Sequence, residues 1–162
     1  MAANISNFRM PRSSEVPTIG LYLDQTTKYI NEVLKPLGCV EITPSMVSNY
    51  VKKRYITKPV KKLYNRDQIM CLMFIALAKL VLNMDNIDLF LKAHPDPVDD
   101  KGYDVFCDKF ESMLRYVFRC GGKPEDIDKI DNMTERFSVS LITAVVHYIY
   151  LNDCFTDMEA RA

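Results

Sequence analysis

The chain has 162 residues, 48% of them apolar, and its 21 basic and 21 acidic side chains give a formal net charge of zero. This composition excludes a disordered chain, and the length suffices for one domain with a core or for a small domain with an appended helical unit. The zero net charge hides an asymmetry, because residues 1–84 carry +7 and residues 85–162 carry −7. We therefore expect a polyanion-binding first half.

Cysteine usage and hydropathy indicate a cytoplasmic protein without membrane association. The five cysteines are odd in number, widely spaced and mostly embedded in apolar patterns, which is typical of reduced, buried thiols. Residues 1–16 lack the apolar stretch of a secretory signal. The longest nearly apolar segment, residues 69–82, is interrupted by Lys79 and suits a buried helix better than a membrane span.

The start of the chain predicts a flexible arm followed by two helices. Residues 1–16 hold prolines and paired serines and show little periodicity, so we expect an arm whose arginines could also touch a phosphate backbone. Apolar side chains at helical spacing predict a helix over about residues 20–34, ended by a Pro-Leu-Gly sequence. After a short link, Thr43 and Pro44 form a helix start signal. Two helices joined in this way are typical of a helix-turn-helix.

Residues 44–66 carry the chemistry that points to a function. In a helix over about residues 44–54, Val47 and Tyr50 share an apolar face, and polar side chains lie on the other. We predict that four polar residues contact base edges in the major groove of double-stranded DNA: Ser45, Ser48, Asn49 and Lys52. Among these, the amide of Asn49 suits a bidentate contact with adenine.

A basic segment, Lys52–Arg66, begins at the end of this predicted recognition helix and continues beyond it. It holds seven basic residues and no acid, and residues 58–66 would form a basic wing. We predict that six of its side chains contact DNA phosphates: Lys53, Arg54, Lys58, Lys61, Lys62 and Arg66. A basic run can also be no more than a solvated face. The amide and two hydroxyls on the neighbouring helix favour the DNA-binding interpretation.

Two helices are predicted after the basic segment. Asn65 can cap one that runs to about residue 82 and is apolar nearly all round, as expected of a central core helix. Asn83 would end this helix, and Asp85 would cap a shorter amphipathic one. Residues 17–93 would then form a helix-turn-helix domain.

The loop from His94 to Gly102, with its prolines and acids, is the clearest boundary in the chain. Beyond it, two long helices over about residues 103–120 and 134–152 predict a C-terminal helical hairpin, and we assign residues 103–155 to dimerisation or effector binding. The last helix is apolar nearly all round, so it needs covering, which favours a homodimer. An effector pocket between these helices is compatible with the sequence, but no residue pattern identifies a small-molecule effector.

Three segments resemble an uncharacterised bacterial family of unknown function: Leu21-Tyr-Leu-Asp-Gln25, Asn49-Tyr-Val-Lys52 and Lys62-Leu-Tyr-Asn-Arg66. Together with the run from Thr43 to Ile56, they also resemble the winged-helix head of MerR-type transcription regulators. The resemblance covers roughly residues 17–120. It implies a mostly α-helical fold with a winged helix-turn-helix head.

The resemblance also implies roles for single positions. Val47, Tyr50 and Ile56 fall on the packing positions of the MerR-type recognition helix, and Tyr64 falls on an aromatic position before the third helix. The chain departs from the pattern in three ways. Ser48-Asn49 replaces a basic-aromatic pair, Arg54 replaces a glycine, and the short wing lacks a glycine at its tip.

Catalysis and metal binding have little support in the sequence. Of the two histidines, His94 lies in a loop, and His147 lies in an apolar helix where a structural imidazole is expected. There is no nucleophile–base pair, glycine-rich phosphate loop or metal-ligand spacing. The aspartates around residues 96–100 do not match the spacing of an EF-hand loop. We expect no enzymatic activity, no cofactor and no metal.

Two functions remain open. The first is a sequence-specific DNA-binding transcriptional regulator that acts as a homodimer. The alternative is a non-enzymatic helical adaptor that keeps the fold and uses the basic segment to bind an acidic protein surface.

Overall fold

The computed structural model describes residues 5–94 and 99–162, and it is predominantly helical. Over these ranges it contains six α-helices: α1 (Leu23–Leu34), α2 (Pro44–Lys52), α3 (Arg66–Ala78), α4 (Met84–Ala93), α5 (Asp100–Val117) and α6 (Met133–Arg161). Extended pairing in the described ranges consists of two isolated antiparallel bridges, Leu21 with Tyr64 and Val60 with Leu63. The prediction of a mostly α-helical fold is confirmed.

Short 3-10 helices lie at Ser13–Glu15, Lys35–Leu37 and Ile127–Lys129. No helix in the described part of the chain combines the length and the hydropathy needed to cross a membrane. Residues 1–4 of the predicted arm, and residues 95–98 with Asp96 in the predicted boundary loop, lie outside the described ranges.

Helix ends follow local capping, with some corrections to the predicted bounds. Thr43 and Asn65 cap α2 and α3 as predicted. Asn83 was expected to end a helix, but its side chain caps α4, and Asp85 lies in the first turn. α3 ends at Ala78, and beyond it the N–H groups of Leu80 and Val81 bond three residues back instead of four. Local hydrogen bonding thus shortens α3 and moves the start of α4.

The outer limits of α1, α5 and α6 also differ from prediction. α1 begins at Leu23, because Leu21 is drawn into the bridge with Tyr64. α5 begins three residues earlier than predicted, because Asp99 accepts a hydrogen bond from Gly102 N–H and caps it. α6 extends past residue 152 to Arg161, since no glycine or proline interrupts that stretch.

Residues 5–16 pack on the core, whereas the sequence led us to expect a flexible arm. The guanidinium of Arg12 binds Asp108 (2.7 Å) and Glu111 (2.6 Å), and Glu111 also accepts the N–H of Met10 (2.7 Å). These bonds, the one to Glu111 first, raise the pKa of Arg12. Four apolar side chains of the segment are buried: Ile5, Phe8, Met10 and Val16. Their burial and the ion pairs hold the segment against α5.

α5 and α6 pack along each other and run in the same direction. Lys109, in the middle of α5, binds Glu135 near the start of α6 (2.7 Å), and Phe118, just after α5, meets the ring of Tyr150 much further along α6 (5.3 Å between centroids). A hairpin would instead place the start of one helix beside the end of the other. The predicted C-terminal hairpin is therefore wrong.

The link between α5 and α6 explains this direction. Gly121 and Gly122 have positive φ values of 95° and 85°, and a Cβ on Gly122 would lie 2.3 Å from the carbonyl oxygen of Ser112. The hydroxyl of Ser112 donates to the Lys123 carbonyl and accepts the Lys123 N–H. The link therefore turns back along α5 and returns to the starting end of that helix before α6 begins.

One continuous core joins the parts of the chain that were predicted as separate regions. α3 is almost wholly buried and lies at the centre, as expected of a core helix. Phenylalanine rings link the helices: Phe74 of α3 packs edge-on against Phe106 of α5 (5.3 Å between centroids), and Phe90 of α4 stacks on Phe137 of α6 (4.2 Å). Buried residues from segment 5–16 through to α6 belong to the same cluster.

Candidate nucleic-acid interface

α2 presents the four residues predicted to read bases on a single exposed stripe. They are spaced i, i+3, i+4 and i+7, and all are exposed: Ser45, Ser48, Asn49 and Lys52. Val47 and Tyr50 on the opposite face are buried, as predicted. The ammonium group of Lys79 donates a hydrogen bond to the Tyr50 hydroxyl (2.9 Å), which ties α2 to the end of α3. The stripe is therefore carried by a helix with a fixed inner face.

The start of α2 is also fixed, by a contact that the sequence did not predict. The Asn31 side chain on α1 donates to the carbonyl of Ile42 (2.8 Å) and accepts the Ile42 N–H (2.9 Å). Ile42 directly precedes the capping residue Thr43. A single asparagine in an amphipathic helix gives no signal of such a role, because its partner lies eleven residues away.

The end of α2 has a left-handed residue that is not glycine. Arg54 has φ of 62°, its N–H bonds to the Val51 carbonyl (3.0 Å), and the N–H of Tyr55 bonds to the Tyr50 carbonyl (2.9 Å). This is the Schellman pattern, in which glycine is usual. A residue with a Cβ costs roughly 1–2 kcal/mol in this conformation. Arg54 stands at the position where the resemblance led us to note a missing glycine.

A tight hairpin (residues 60–63) follows in the basic segment. The N–H of Leu63 bonds to the Val60 carbonyl (2.9 Å), and the two residues between them, Lys61 and Lys62, have φ of 50° and 65°. Such two-residue turns usually contain Asn-Gly, because both positions need positive φ. Both lysines are exposed at the tip. A Cβ on Gly20 would lie 2.7 Å from the Leu63 Cβ, so glycine allows the hairpin to approach the segment just before α1 closely.

Buried or bonded residues alternate with the exposed basic ones and anchor the segment. The hydroxyl of Tyr55 donates to Asp85 (2.7 Å), and this bond raises the pKa of Tyr55. The side chain of Gln68 donates to the carbonyl and the hydroxyl of Thr57 (2.9 and 3.0 Å). Ile56 is buried, as predicted. These anchors hold the segment in place, and six of its basic side chains stay exposed: Lys52, Lys53, Arg54, Lys58, Lys61 and Lys62.

Arg66 differs from the other predicted phosphate contacts. Its guanidinium binds both carboxylate oxygens of Asp100 (3.1 and 2.9 Å), and it also lies 4.0 Å from Asp67. The side chain is only partly exposed. Its charge is thus engaged by an acid at the start of α5, and a phosphate would have to compete for it.

A groove of about 620 Å³ runs between the basic segment and α4. Its apolar lining comes from Val51, Ile56 and Leu91. Four cations stand around it: Lys52, Arg54, Lys58 and Lys92. Lys92 is paired with Asp88, so the other three give the groove its positive charge.

Titratable side chains do not assemble into other chemistry in the described part of the chain. Across residues 5–94 and 99–162, no three His, Cys, Asp or Glu side chains come together as a metal site requires. Burial raises the pKa of the Cys107 thiol to about 12, which keeps it protonated at neutral pH. His147, expected as a structural imidazole within an apolar helix, lies on the exposed side of α6.

These features define a mostly α-helical protein with a rigidly mounted, exposed basic segment. The profile of a family described as a domain of unknown function, DUF1836, matches residues 11–109. This is more than half of the chain, so the protein belongs to the DUF1836 family. Comparison with curated proteins gave no match. Comparison with solved structures gave none either.

The family match bears on part of the resemblance noted in the sequence. Membership in a family of unknown function is confirmed, and the MerR-type likeness stays a prediction. The match ends at residue 109, in the middle of α5, where the helix continues without interruption.

Proposed function

We propose that the protein is a cytoplasmic, sequence-specific DNA-binding transcriptional regulator with a MerR-like winged helix-turn-helix head. The observation that carries this proposal is the exposed polar stripe of α2, which continues directly into exposed basic residues. Hydroxyls, an amide and a lysine on one helix face are the groups that read base edges in a major groove. α2 would be the recognition helix, and the hairpin at residues 60–63 would be a short wing.

Backbone strain in the basic segment supports the same proposal. Three of its basic residues, Arg54, Lys61 and Lys62, have positive φ where glycine or asparagine would be more stable. Conformations of this kind persist where the surrounding structure enforces them, and they concentrate at functional sites. A segment that served only solubility would lose nothing by placing glycine at these positions. We infer that basic side chains stand at these positions because they contact phosphates.

The exposed face of α6 supports a homodimer. Its apolar residues recur at intervals of four, three, four and three: Ala144, Tyr148, Leu151, Phe155 and Met158. We call the last four the C-terminal seam; their exposed fractions are 43, 54, 61 and 63%. This spacing is that of a coiled-coil stripe, which pairs with a similar stripe. A second copy of the same chain offers one, and a two-fold dimer would suit a palindromic DNA site.

The first test is binding to generic duplex DNA, measured by fluorescence anisotropy at several salt concentrations. Counterion release predicts that log K falls linearly with log salt, and that the slope becomes shallower by about two in the Lys61→Ala/Lys62→Ala variant. The matched control is Lys28→Ala/Lys129→Ala, which removes two exposed lysines outside the segment. No binding at about 50 mM salt, or equal slopes in both variants, contradicts the proposal.

Sequence reading is tested separately, by selecting bound sites from random DNA. Asn49→Ala should relax preference at one base pair by about 1–3 kcal/mol and leave generic affinity nearly unchanged. Asn31→Ala is a useful comparison, because it removes the hydrogen bonds that hold the start of α2 and leaves the exposed stripe unchanged. A site preference that is identical in wild type and Asn49→Ala would remove Asn49 from the interface.

The dimer is tested by analytical ultracentrifugation. The wild type should sediment at twice the chain mass, and Leu151→Glu/Phe155→Glu should sediment as a monomer because it places charge in the seam. Thr156→Glu is the control, since Thr156 is exposed on the same turns but lies off the seam. A monomeric wild type, or a dimeric double variant, would contradict a dimer formed through this seam.

The adaptor function remains a second candidate because of the groove beside α4. Its apolar lining, and three cations that form no ion pair with a described residue, would suit an acidic amphipathic helix of a partner protein. A synthetic helix of leucine and glutamate, labelled for anisotropy, tests this. Binding of that peptide that is lost in Lys58→Glu, together with no binding to duplex DNA, would favour the adaptor over the regulator.

A further inference from the structure

A second cavity, of about 550 Å³, lies where the first turns of α5 and α6 meet. Because the two helices run in the same direction, both begin at this end of the molecule. Apolar side chains from three helices line its floor: Phe74, Phe106 and Ile142. Small-molecule sites occupy about 300–1,000 Å³. The size of this cavity therefore falls in the range of ligand sites.

Two hydroxyl groups on α6 line the cavity without a hydrogen-bond partner among the described residues. Thr134 and Ser138 lie one helical turn apart, and neither hydroxyl bonds to a described residue. Other hydroxyls on α6 behave differently: those of Ser140, Thr143 and Thr156 donate to the carbonyl four residues earlier. Thr134 and Ser138 thus keep their hydrogen-bonding capacity for something in the cavity.

The charges around the cavity favour one anionic group. Lys109 is already bound to Glu135 (2.7 Å) and lies 3.9 Å from Glu125, so its charge is compensated. Lys101, in the first turn of α5, forms no ion pair with a described residue. Both helices also direct the positive ends of their dipoles towards this side. The start of α5 is already capped by the Asp99 carboxylate, and the first turn of α6 holds Glu135. Among the described residues, the positive charge at the rim without an ion pair is therefore that of Lys101.

We propose that this cavity binds a small molecule with a planar apolar body and one anionic group, such as an aromatic carboxylate. The rings of Phe74 and Phe106 contact the apolar body. The ammonium of Lys101 and the hydroxyls of Thr134 and Ser138 bind the anion. The site is separate from the stripe on α2 and does not depend on DNA binding.

The probe is anilinonaphthalene sulfonate, a planar aromatic anion whose fluorescence rises in apolar sites, titrated against the full chain. Its uncharged relative phenylnaphthylamine serves as the second probe. Lys101→Ala should raise the dissociation constant of the anionic probe by about tenfold, as expected for loss of a charged hydrogen bond. The dissociation constant of the neutral probe should change little. Val105→Trp, at the exposed rim, should fill the cavity and abolish binding of both probes.

Two controls keep the result specific. Lys129→Ala removes an exposed lysine outside the cavity and should leave both titrations unchanged. Leu151→Ser alters the exposed C-terminal seam, where such probes can also bind, and should likewise have no effect. Circular dichroism confirms that each variant is folded. Binding that survives both Lys101→Ala and Val105→Trp, or that disappears in Leu151→Ser, overturns the proposal.

Discussion

Two segments of this molecule carry basic side chains, arginine in residues 5–16 and arginine with lysine in the basic segment, and they use the charge in opposite ways. In residues 5–16, the guanidinium of Arg12 is bound by Asp108 and Glu111 and is largely shielded from solvent. In the basic segment, five of the six predicted phosphate contacts are exposed, and among the described ion pairs Arg66 alone is engaged by an acid. The role of a basic side chain is therefore decided by the acids that the fold brings to it, which local composition does not reveal.

The largest effect should come from breaking the internal ion pairs of the N-terminal segment. Arg12→Ala leaves Glu111 buried without its charged partner, and we expect the free energy of unfolding in urea to fall by about 3–5 kcal/mol. Arg9→Ala is the control, because its pair with Glu15 is exposed and should contribute less than about 1 kcal/mol. The double variant Arg12→Met/Glu111→Leu should recover part of the loss. Equal effects of Arg9→Ala and Arg12→Ala would show that the two pairs do not differ.

A smaller effect should come from releasing an anchor of the basic segment. Gln68→Ala removes two hydrogen bonds to Thr57 and one cap bond of α3, so the free energy of unfolding should fall by about 1–3 kcal/mol. Gln25→Ala is matched to it, since Gln25 makes the same cap bond on α1 but is exposed and holds no other segment. Hydrogen exchange should also become faster around Thr57 in Gln68→Ala. Unchanged exchange there would mean that Gln68 does not hold the segment.

Relief of backbone strain should separate stability from binding. Lys62→Gly removes a Cβ from a residue with positive φ and so relieves strain in the folded state. Glycine also raises the entropy of the unfolded chain, which offsets part of this gain, so the net stabilisation should be about 0.5–1 kcal/mol. Lys58→Gly should destabilise it instead, because the φ of Lys58 is not positive. DNA affinity should fall in both. If Lys62→Gly is less stable than wild type in urea denaturation, the backbone at Lys62 is not strained.

The smallest effect concerns the ion pair between Arg66 and Asp100. Asp100→Asn frees Arg66 at a cost in unfolding free energy below about 1 kcal/mol, because both side chains are partly exposed. If Arg66 then contacts a phosphate, the salt slope of DNA binding should steepen by up to about one. Asp24→Asn, a first-turn acid on α1, controls for the helix dipole. Equal slopes in both variants would leave Arg66 outside the interface.

Local signals in the sequence predicted the features that depend on near neighbours. The Thr43-Pro44 start, the buried positions of Val47 and Tyr50 and the exposed stripe of α2 follow from capping and from the helical period. The cap of α3 was equally readable from Asn65. These elements are decided within a few residues, so the chain itself specifies them.

Features that depend on distant partners or on direction were not predictable in the same way. Arg12 finds its acids 96 and 99 residues later, and no local pattern marks them. Gly121 and Gly122 indicate a turn, but nothing in their identity says that the link must run back along α5. The positive φ of Lys61 and Lys62 was missed because neither residue is typical of that conformation. The exposed stripe was thus predictable, and the distant contacts that hold the surrounding segments in place were not.

The hydrogen bonds and ion pairs between residues 10–13 and α5 have a consequence for how the chain folds. These residues bond to Asp104, Asp108 and Glu111 at sequence separations of 91 to 101 residues. During synthesis, segment 5–16 is made long before those partners, so its apolar side chains stay exposed until α5 emerges. Contacts of such high order slow folding, since the entropy of closing a long loop must be overcome first. We expect refolding to be slower than that of a simple helical bundle of this size, and a nascent chain stalled before residue 111 to be a chaperone substrate.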